Sequence, residues 1–209
     1  MNYRGSAGYG EAFRTLNYRN LGVGDAWDVL SGVDHLCAQG WIDDEKMGCM
    51  GWSQGGYISA FLTTATDRFA AICVGAGISN WETYYYNTDI TSFCPNYLGF
   101  APADDKAVYE LTSPMTRIHE ASTPTLIQHG ELDRRVPIAN GFELRQGLHD
   151  VGVHAEMCVY AGFGHGIDKP KSQRAVMAHN ADWFGHYVLG ADALNLGLLG
   201  GATGTKAKL

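Results

Sequence analysis

The chain has 209 residues, of which 45% are hydrophobic and 18% are charged, a composition typical of one globular domain with a core and not of a disordered segment. Its formal net charge is −7 at pH 7, whereas a surface that binds nucleic acid or an anionic membrane needs clustered lysine and arginine. No stretch approaches the roughly 18 consecutive apolar residues of a membrane-spanning helix. We therefore predict no nucleic-acid partner and no membrane partner.

Predicted helices and strands alternate along the chain. Residues 1–13 are rich in glycine and aromatic side chains and predict a loop. Residues 25–40 have apolar side chains at helical spacing, with Asp25 as the expected N-cap and Gly40 as the expected end. Residues 78–118 are interpreted as irregular. Apolar runs predict strands at 47–52, 69–77, 123–130 and 154–162, and periodic segments predict further helices at 55–66, 138–152 and 172–190.

This order of elements predicts an α/β fold, with a mostly parallel sheet and helices on both of its faces. No internal repeat or linker marks a second domain, so residues 1–190 are predicted to form one domain. Residues 191–209 are rich in glycine and small side chains, and they predict a flexible or loosely packed C-terminal tail.

The cysteines and the absence of cofactor motifs limit the chemistry that the chain can carry. Five cysteines, none in a CxxC pair, indicate buried thiols and argue against a zinc site. Together with the lack of a recognisable signal peptide, they predict a reducing, cytoplasmic location. The sequence contains no P-loop, no GxGxxG after a strand and no HExxH, so we expect no metal and no cofactor.

The stretch GWSQGG, residues 51–56, has the GxSxG spacing of a nucleophilic serine. The motif alone is weak evidence, but here a predicted strand precedes Ser53 and a predicted helix follows it, which is the setting that such a serine needs. Gly51 and Gly55 are expected to let the chain crowd at this turn. The backbone N–H of Gln54 is expected to point at an oxyanion that develops beside Ser53.

A base and a carboxylate follow in the chain order Ser, Asp, His that this scaffold requires. Asp133 comes after the third predicted strand in HGELDRRVP, and His165 comes after the fourth in YAGFGHG. Parallel strands place such residues at the carboxyl edge of the sheet, where open α/β sheets carry their chemistry. The alternative for each is a structural role, as a turn aspartate or a loop histidine. We interpret the other histidines as structural, His129 as support for the Asp133 loop.

Five stretches together resemble the catalytic domain of the prolyl oligopeptidase (S9) family of serine peptidases, particularly its acylaminoacyl-peptidase and dipeptidyl-peptidase branches. They are NYRGSAGYGEAF, GWSQGGY, TDRFAAICVGAGISNW, HGELDRRVP and GFGHG, and the resemblance covers about residues 2–190. The resemblance implies an α/β-hydrolase fold in which Ser53 is the nucleophile, His165 the base and Asp133 the group that orients the base.

The same resemblance implies a substrate-binding wall of apolar and aromatic side chains. It assigns to this wall Trp52, Ile78, Trp81 and Tyr84, which would hold a small or apolar side chain or an acyl group beside the nucleophile. Such a cluster in an irregular segment is also what a concave binding site requires. The alternative is that these are ordinary core aromatics.

The chain departs from the family pattern because it lacks the β-propeller and the first strands. A loop after one of those strands supplies the second oxyanion donor in the family, and a single donor is expected to lower kcat by roughly 10²–10³. Residues 47–52 are then expected to form an exposed apolar sheet edge, covered by self-association or by rearranged terminal segments. We therefore expect a homo-oligomer.

The leading interpretation is a serine hydrolase that cleaves peptide or acyl-aminoacyl bonds, or esters, through an acyl-enzyme. Its partner would be a small-molecule ester or a peptide substrate. One alternative is a carboxylesterase that acts on short acyl esters, because activated esters need less help with the leaving group than amides do. The other is a catalytically impaired fragment that only folds and self-associates.

Overall fold

A computed structural model of the chain describes residues 2–191 and 204–205. The strands are β1 (Gly48–Trp52), β2 (Ala71–Gly75), β3 (Thr125–Gly130), β4 (Ala155–Tyr160) and β5 (Gly204–Thr205). The helices are α1 (Glu11–Arg14), α2 (Val23–Ala38), α3 (Gln54–Ala65), α4 (Trp81–Asn87), α5 (Phe93–Leu98), α6 (Lys106–Thr112), α7 (Ala139–Asp150) and α8 (Pro170–Tyr187). Two 3₁₀ segments span Thr15–Asn17 and Pro114–Glu120.

The described strands form one sheet in the order β1-β2-β3-β4-β5. The first four are parallel, and the short β5 pairs antiparallel with the end of β4. All four parallel strands therefore end at the same edge of the sheet, so the loops that follow them meet there. The predicted α/β class with a mostly parallel sheet is confirmed.

Helices cover both faces of this sheet, as the sequence predicts. Along β2, Ile72 and Val74 point into the larger core, which contains Tyr57 and Leu62 of α3. The alternate residues Ala71 and Cys73 point to the opposite face, where they pack with Trp183 of α8. Because β2 is buried on both faces, it reads as a continuous apolar run and not as an alternating pattern.

The prediction that residues 78–118 are irregular is wrong, because α4, α5, α6 and part of a 3₁₀ segment lie there. Each of these helices has only six or seven residues, too few to produce a readable helical periodicity. Two of these helices have an N-cap residue whose side chain accepts hydrogen bonds from the first helical turn. The Asn80 side chain accepts hydrogen bonds from the N–H groups of Glu82 and Thr83, and the Asp105 side chain accepts one from Val108.

The expected N-cap of α2 is also wrong. The helix begins at Val23, and its N-cap is Gly22 with φ of 76°, a conformation that glycine adopts without steric cost. Asp25 lies inside the first helical turn and is fully buried.

Strand β1 lies at one edge of the sheet, and no strand pairs with its outer side in the part of the chain that the structure describes. The Met50 side chain at its centre is 60% exposed. The described part of the predicted C-terminal tail, Gly204–Thr205, pairs with β4 at the opposite edge, and the rest of that tail lies outside the described residues. Over the described ranges, no helix is both long and apolar enough to span a bilayer.

Candidate active site

Ser53 lies in a strained turn between β1 and α3. Its φ of 59° and ψ of −117° fall in a region that side-chain-bearing residues rarely adopt. The turn is fixed by two backbone hydrogen bonds, from Ser53 N–H to the Gly75 carbonyl at 2.9 Å and from Tyr57 N–H to the Ser53 carbonyl at 2.8 Å. The Ser53 side chain makes no capping hydrogen bond to α3, which leaves its hydroxyl available for another partner.

Two glycines give this turn the room it needs. A Cβ built on Gly51 would overlap the backbone of Gly55, and one built on Gly56 would overlap the carbonyl oxygen of Gly75 in β2. A Cβ on Gly55 would meet nothing within 4 Å, so the expectation that Gly55 itself is needed for close approach is wrong. Gly56 is needed instead, because there α3 packs directly against the end of β2.

Asp133 lies in the loop after β3 and its side chain is fully buried. Its Oδ1 accepts hydrogen bonds from the backbone N–H groups of Arg135 at 2.9 Å and Val136 at 3.0 Å. These two bonds fix the orientation of the carboxylate and leave Oδ2 facing the loop after β4.

His165, in that second loop, makes hydrogen bonds with both other residues of the predicted triad. Its Nδ1 is 2.8 Å from Asp133 Oδ2, and its Nε2 is 2.8 Å from Ser53 Oγ. Because a carboxylate only accepts, Nδ1 carries the hydrogen and the lone pair of Nε2 accepts from the serine hydroxyl. The structure therefore brings Ser53, His165 and Asp133 together in the arrangement that a hydroxyl nucleophile requires.

The two loops that carry the base and the carboxylate are joined to each other. Leu132 N–H donates to the Phe163 carbonyl at 2.8 Å, and Gly162 N–H donates to a Glu131 side-chain oxygen at 2.8 Å. A Cβ on Gly130, the last residue of β3, would overlap the carbonyl oxygen of Gly164. The lack of a side chain at the end of β3 thus allows the histidine loop to lie against it.

Trp52 joins the nucleophile strand to the histidine loop. Its indole N–H donates a hydrogen bond to the backbone carbonyl of His165 at 2.9 Å. No sequence signal indicates this bond, because it links residues 113 positions apart. Trp52 also lines an apolar cavity of about 460 Å³ together with Ile167, Val176 and Met177.

The other predicted wall residues lie in the core. Ile78, Trp81 and Tyr84 are 3%, 0% and 2% exposed, and the Trp81 ring packs edge-on against Tyr57 with centroids 4.9 Å apart. A contact between these side chains and a bound substrate stays a prediction.

Gln54 is the first residue of α3, so its N–H is among those that a helix leaves without an intrahelical partner. The positive end of the helix dipole also lies at this terminus. Its use as an oxyanion donor stays a prediction too.

His129, at the end of β3, is fully buried beside the carboxylate. Its Nε2 donates to the Val136 carbonyl at 2.8 Å and lies 3.6 Å from Asp133 Oδ2. Burial lowers the pKa of His129, so the ring stays neutral at neutral pH and supports the loop through its N–H.

Neither a metal site nor a disulfide is found in the part of the chain that the structure describes. No group of three or more His, Cys, Asp or Glu side chains is arranged to hold a metal ion there. All five cysteines fall within residues 2–191, and none of them forms a disulfide.

The sequence of the chain is similar to known peptidases. The prolyl oligopeptidase family model matches residues 1–190. The acylamino-acid-releasing enzyme of Arabidopsis thaliana is 32% identical over 197 residues, which cover 90% of this chain and 26% of that protein. The prolyl endopeptidase FAP of Mus musculus is 30% identical over 179 residues, which cover 84% of this chain and 23% of that protein. The chain thus spans about a quarter of the length of these relatives.

Solved structures of similar proteins share the fold. Pyrococcus horikoshii acylaminoacyl peptidase gives a TM-score of 0.88 at 26% identity, over 93% of this chain and 33% of that one. A Mycobacterium tuberculosis puromycin-hydrolyzing peptidase gives a TM-score of 0.85 at 26% identity, over 90% of this chain and 29% of that one. The predicted α/β-hydrolase fold is confirmed.

Proposed function

Since the chain belongs to the prolyl oligopeptidase family, we propose that it is a serine hydrolase that cleaves peptide or acyl-aminoacyl bonds, or esters, through an acyl-enzyme. The observation that carries this proposal is the continuous pair of 2.8 Å hydrogen bonds from Asp133 through His165 to Ser53. A buried carboxylate, an imidazole and a hydroxyl in this order are the groups that acyl transfer needs.

In the proposed reaction, Ser53 Oγ attacks the carbonyl carbon of the substrate while His165 Nε2 takes the hydroxyl proton. The carbonyl oxygen becomes an oxyanion, which the Gln54 N–H stabilises at the positive end of α3. His165 then gives its proton to the leaving amine or alcohol, and the acyl group stays on Ser53. A water molecule, deprotonated by His165, releases the acid. Asp133 holds the ring and stabilises its protonated form.

An esterase is the second candidate that we propose. We expect the turn at Ser53 to contribute one oxyanion donor, the Gln54 N–H. Loss of one donor from a complete site lowers kcat by roughly 10²–10³. Amides depend on oxyanion stabilisation more than activated esters, whose leaving groups depart easily, so short acyl esters are expected to be the faster substrates in vitro.

Labelling with a fluorophosphonate probe tests the proposal, since the probe reacts with a serine only where a base activates it. We expect the wild-type chain to be labelled and Ser53→Ala to remain unlabelled. Kinetics on short p-nitrophenyl esters beside aminoacyl and peptidyl amides then separate the two candidates. Hydrolysis of esters alone would contradict the peptidase assignment, and an unlabelled wild type would leave the impaired fragment as the remaining interpretation.

We further propose a reducing, cytoplasmic location. The support is chemical: five cysteines occur in one chain, Cys73 and Cys94 among them buried, and no disulfide forms between residues 2 and 191. Fractionation of cells that express the full-length protein, followed by immunoblotting, tests this proposal. Recovery from an oxidising compartment would contradict it.

A further inference from the structure

Asp25 is a buried carboxylate that the proposed chemistry does not use. It lies in the first turn of α2 and is 0% exposed. Its Oδ1 accepts the backbone N–H of Ala26 at 2.8 Å, and its Oδ2 lies 3.5 Å from Nε2 of Gln54, a long hydrogen bond. Gln54 directly follows Ser53, so this carboxylate is connected to the turn that carries the proposed nucleophile.

Asp25 has no cation in contact with it among the described residues. The guanidinium of Arg4 interacts electrostatically with Asp25 without contacting it. Its hydrogen bonds go to Asp28 instead, in a bidentate pair at 2.8 Å and 2.7 Å. The charge of Asp28 itself disfavours a second carboxylate nearby. The side-chain amide of Gln54 is therefore the one side-chain donor that the described residues offer to Asp25.

An ionised carboxylate that is buried without a cation in contact with it destabilises the fold. Burial raises the pKa of Asp25 to about 6, against the opposing effect of backbone N–H groups. Tyr3 and Tyr57 adjoin the same position, and the pKa of each is raised first by its own burial and then by the charge of Asp25. Buried ionisable groups that weaken a fold in this way concentrate at functional sites.

We propose that Asp25 is a positioning residue for the oxyanion donor: by accepting the side-chain amide of Gln54, it fixes the direction of the Gln54 backbone N–H beside Ser53. Gln54 is the first residue of α3, so a side chain held by Asp25 restrains the start of the helix and with it the Ser53–Gln54 peptide plane that carries the N–H. The inference rests on the proposed function, because it requires Gln54 to stabilise an oxyanion.

A double-mutant cycle tests this connection. In Asp25→Ala the acceptor is lost, and in Gln54→Met the side-chain donor is lost while the backbone N–H stays. With p-nitrophenyl butyrate as substrate, we expect each change to lower kcat about 10-fold and to leave KM within about twofold, since the N–H acts on the transition state. We expect the double variant to be no slower than the slower single variant, within about twofold, because both changes break one contact.

Asp25→Asn is the conservative control, because its single amide oxygen can accept from Gln54 when the amide is oriented toward it, at the cost of the hydrogen bond from Ala26. We expect it to recover at least half of the wild-type kcat. Circular dichroism and the midpoint of urea unfolding show whether each variant is folded. The proposal is overturned if folded Asp25→Ala keeps the wild-type kcat, if Asp25→Asn is as slow as Asp25→Ala, or if the losses multiply in the double variant.

The failure of this inference can be told apart from the failure of the proposed function. Fluorophosphonate labelling of the wild type and of Ser53→Ala is carried out first. Absence of labelling in the wild type removes the serine hydrolase itself. Labelling of wild type and folded Asp25→Ala at equal rates leaves the hydrolase standing and removes the role of Asp25.

Discussion

Trp52 connects the residue before the proposed nucleophile to the backbone of the proposed base, through the 2.9 Å hydrogen bond from its indole N–H to the His165 carbonyl. Trp52→Phe keeps an aromatic ring and removes this donor, which leaves a partly buried carbonyl without that partner. We expect a loss of about 1 kcal/mol in unfolding free energy and a fall in kcat/KM of about 3- to 10-fold. Ester hydrolysis and urea unfolding measure the two effects.

Trp27→Phe is the matched control for that experiment, since the Trp27 ring is 62% exposed on α2 and lies over the Arg4 guanidinium, where phenylalanine can also lie. We expect this control to change neither quantity measurably. If Trp52→Phe also hydrolyses the ester at the wild-type rate, the indole hydrogen bond does not position the base.

The titration of Asp25 predicts how the stability of the chain depends on pH. Its pKa is raised from 3.8 to about 6 in the folded state, mainly by burial, so the folded state binds this proton more tightly than the unfolded state. The ionised carboxylate therefore destabilises the fold above about pH 6, and this loss is recovered as the pH falls from about 6 to about 4. Arg4 and Asp28, whose charges also act here, stay ionised over this range.

Asp25→Asn removes this proton linkage, so we expect its stability relative to the wild type to rise by about 2–3 kcal/mol between about pH 4 and neutral pH. Near pH 4 we expect it to be less stable than the wild type by about 1 kcal/mol, because its single amide oxygen cannot accept from both Ala26 and Gln54. Urea unfolding of both proteins across this range measures the difference, and Asp44→Asn, which makes the same change at an exposed carboxylate before β1, is the control. A stability difference that is the same at every pH would contradict the assignment.

The sequence predicts those features of the site that neighbouring residues determine, and it does not predict contacts between residues far apart in the chain. The turn at Ser53 is predictable because strand, glycines and helix are contiguous, and the order of Asp133 and His165 follows from which strand each one ends. The hydrogen bond between Trp52 and His165 is not predictable from the sequence, because it depends on how closely β1 and the loop after β4 approach each other. The same holds for Gly55, since the spacing of the glycines does not show which of them lies against another part of the backbone.

At the scale of elements, the contact between α3 and β2 is set by Gly56. A methyl group there would overlap the carbonyl oxygen of Gly75, which belongs to a buried strand and cannot move aside. We expect Gly56→Ala to destabilise the fold by about 2–3 kcal/mol, in the upper range for overpacked positions. Thermal unfolding measures the change.

The neighbouring glycine supplies the control for this prediction. Gly55→Ala places its methyl group in open space, and we expect a gain of up to about 1 kcal/mol because alanine favours the helix. Equal effects of the two substitutions would mean that α3 does not pack against β2 as the structure has it.

Length separates the elements that the sequence predicts from those that it does not. The sequence predicts the four parallel strands and the helices α2, α3, α7 and α8 within a few residues of their bounds, because each is either a short apolar run or long enough to repeat its pattern. Helices α4, α5 and α6 are short and aromatic, and they owe their stability to packing against the core and to caps such as Asn80.

At the scale of the whole molecule, the outer edge of β1 is the surface that the described fold leaves open. Its backbone N–H and carbonyl groups have no strand partner among the described residues, and the Met50 side chain at its centre is 60% exposed. The unpaired backbone groups of such an edge can form hydrogen bonds with a strand of another chain. A second copy of the chain offers the same edge, and two copies related by a two-fold axis through Met50 would pair antiparallel and continue the sheet.

We therefore propose that the chain self-associates through β1, and sedimentation velocity over a range of concentrations tests it. The wild type is expected to sediment as a dimer or larger species, and Met50→Lys, which places a charge at the centre of the edge, is expected to shift it toward monomer. Leu111→Lys makes the same change at an exposed side chain of α6 and is expected to leave the assembly state as it is. A wild type that stays monomeric at the highest concentration would show that β1 remains unpaired in solution.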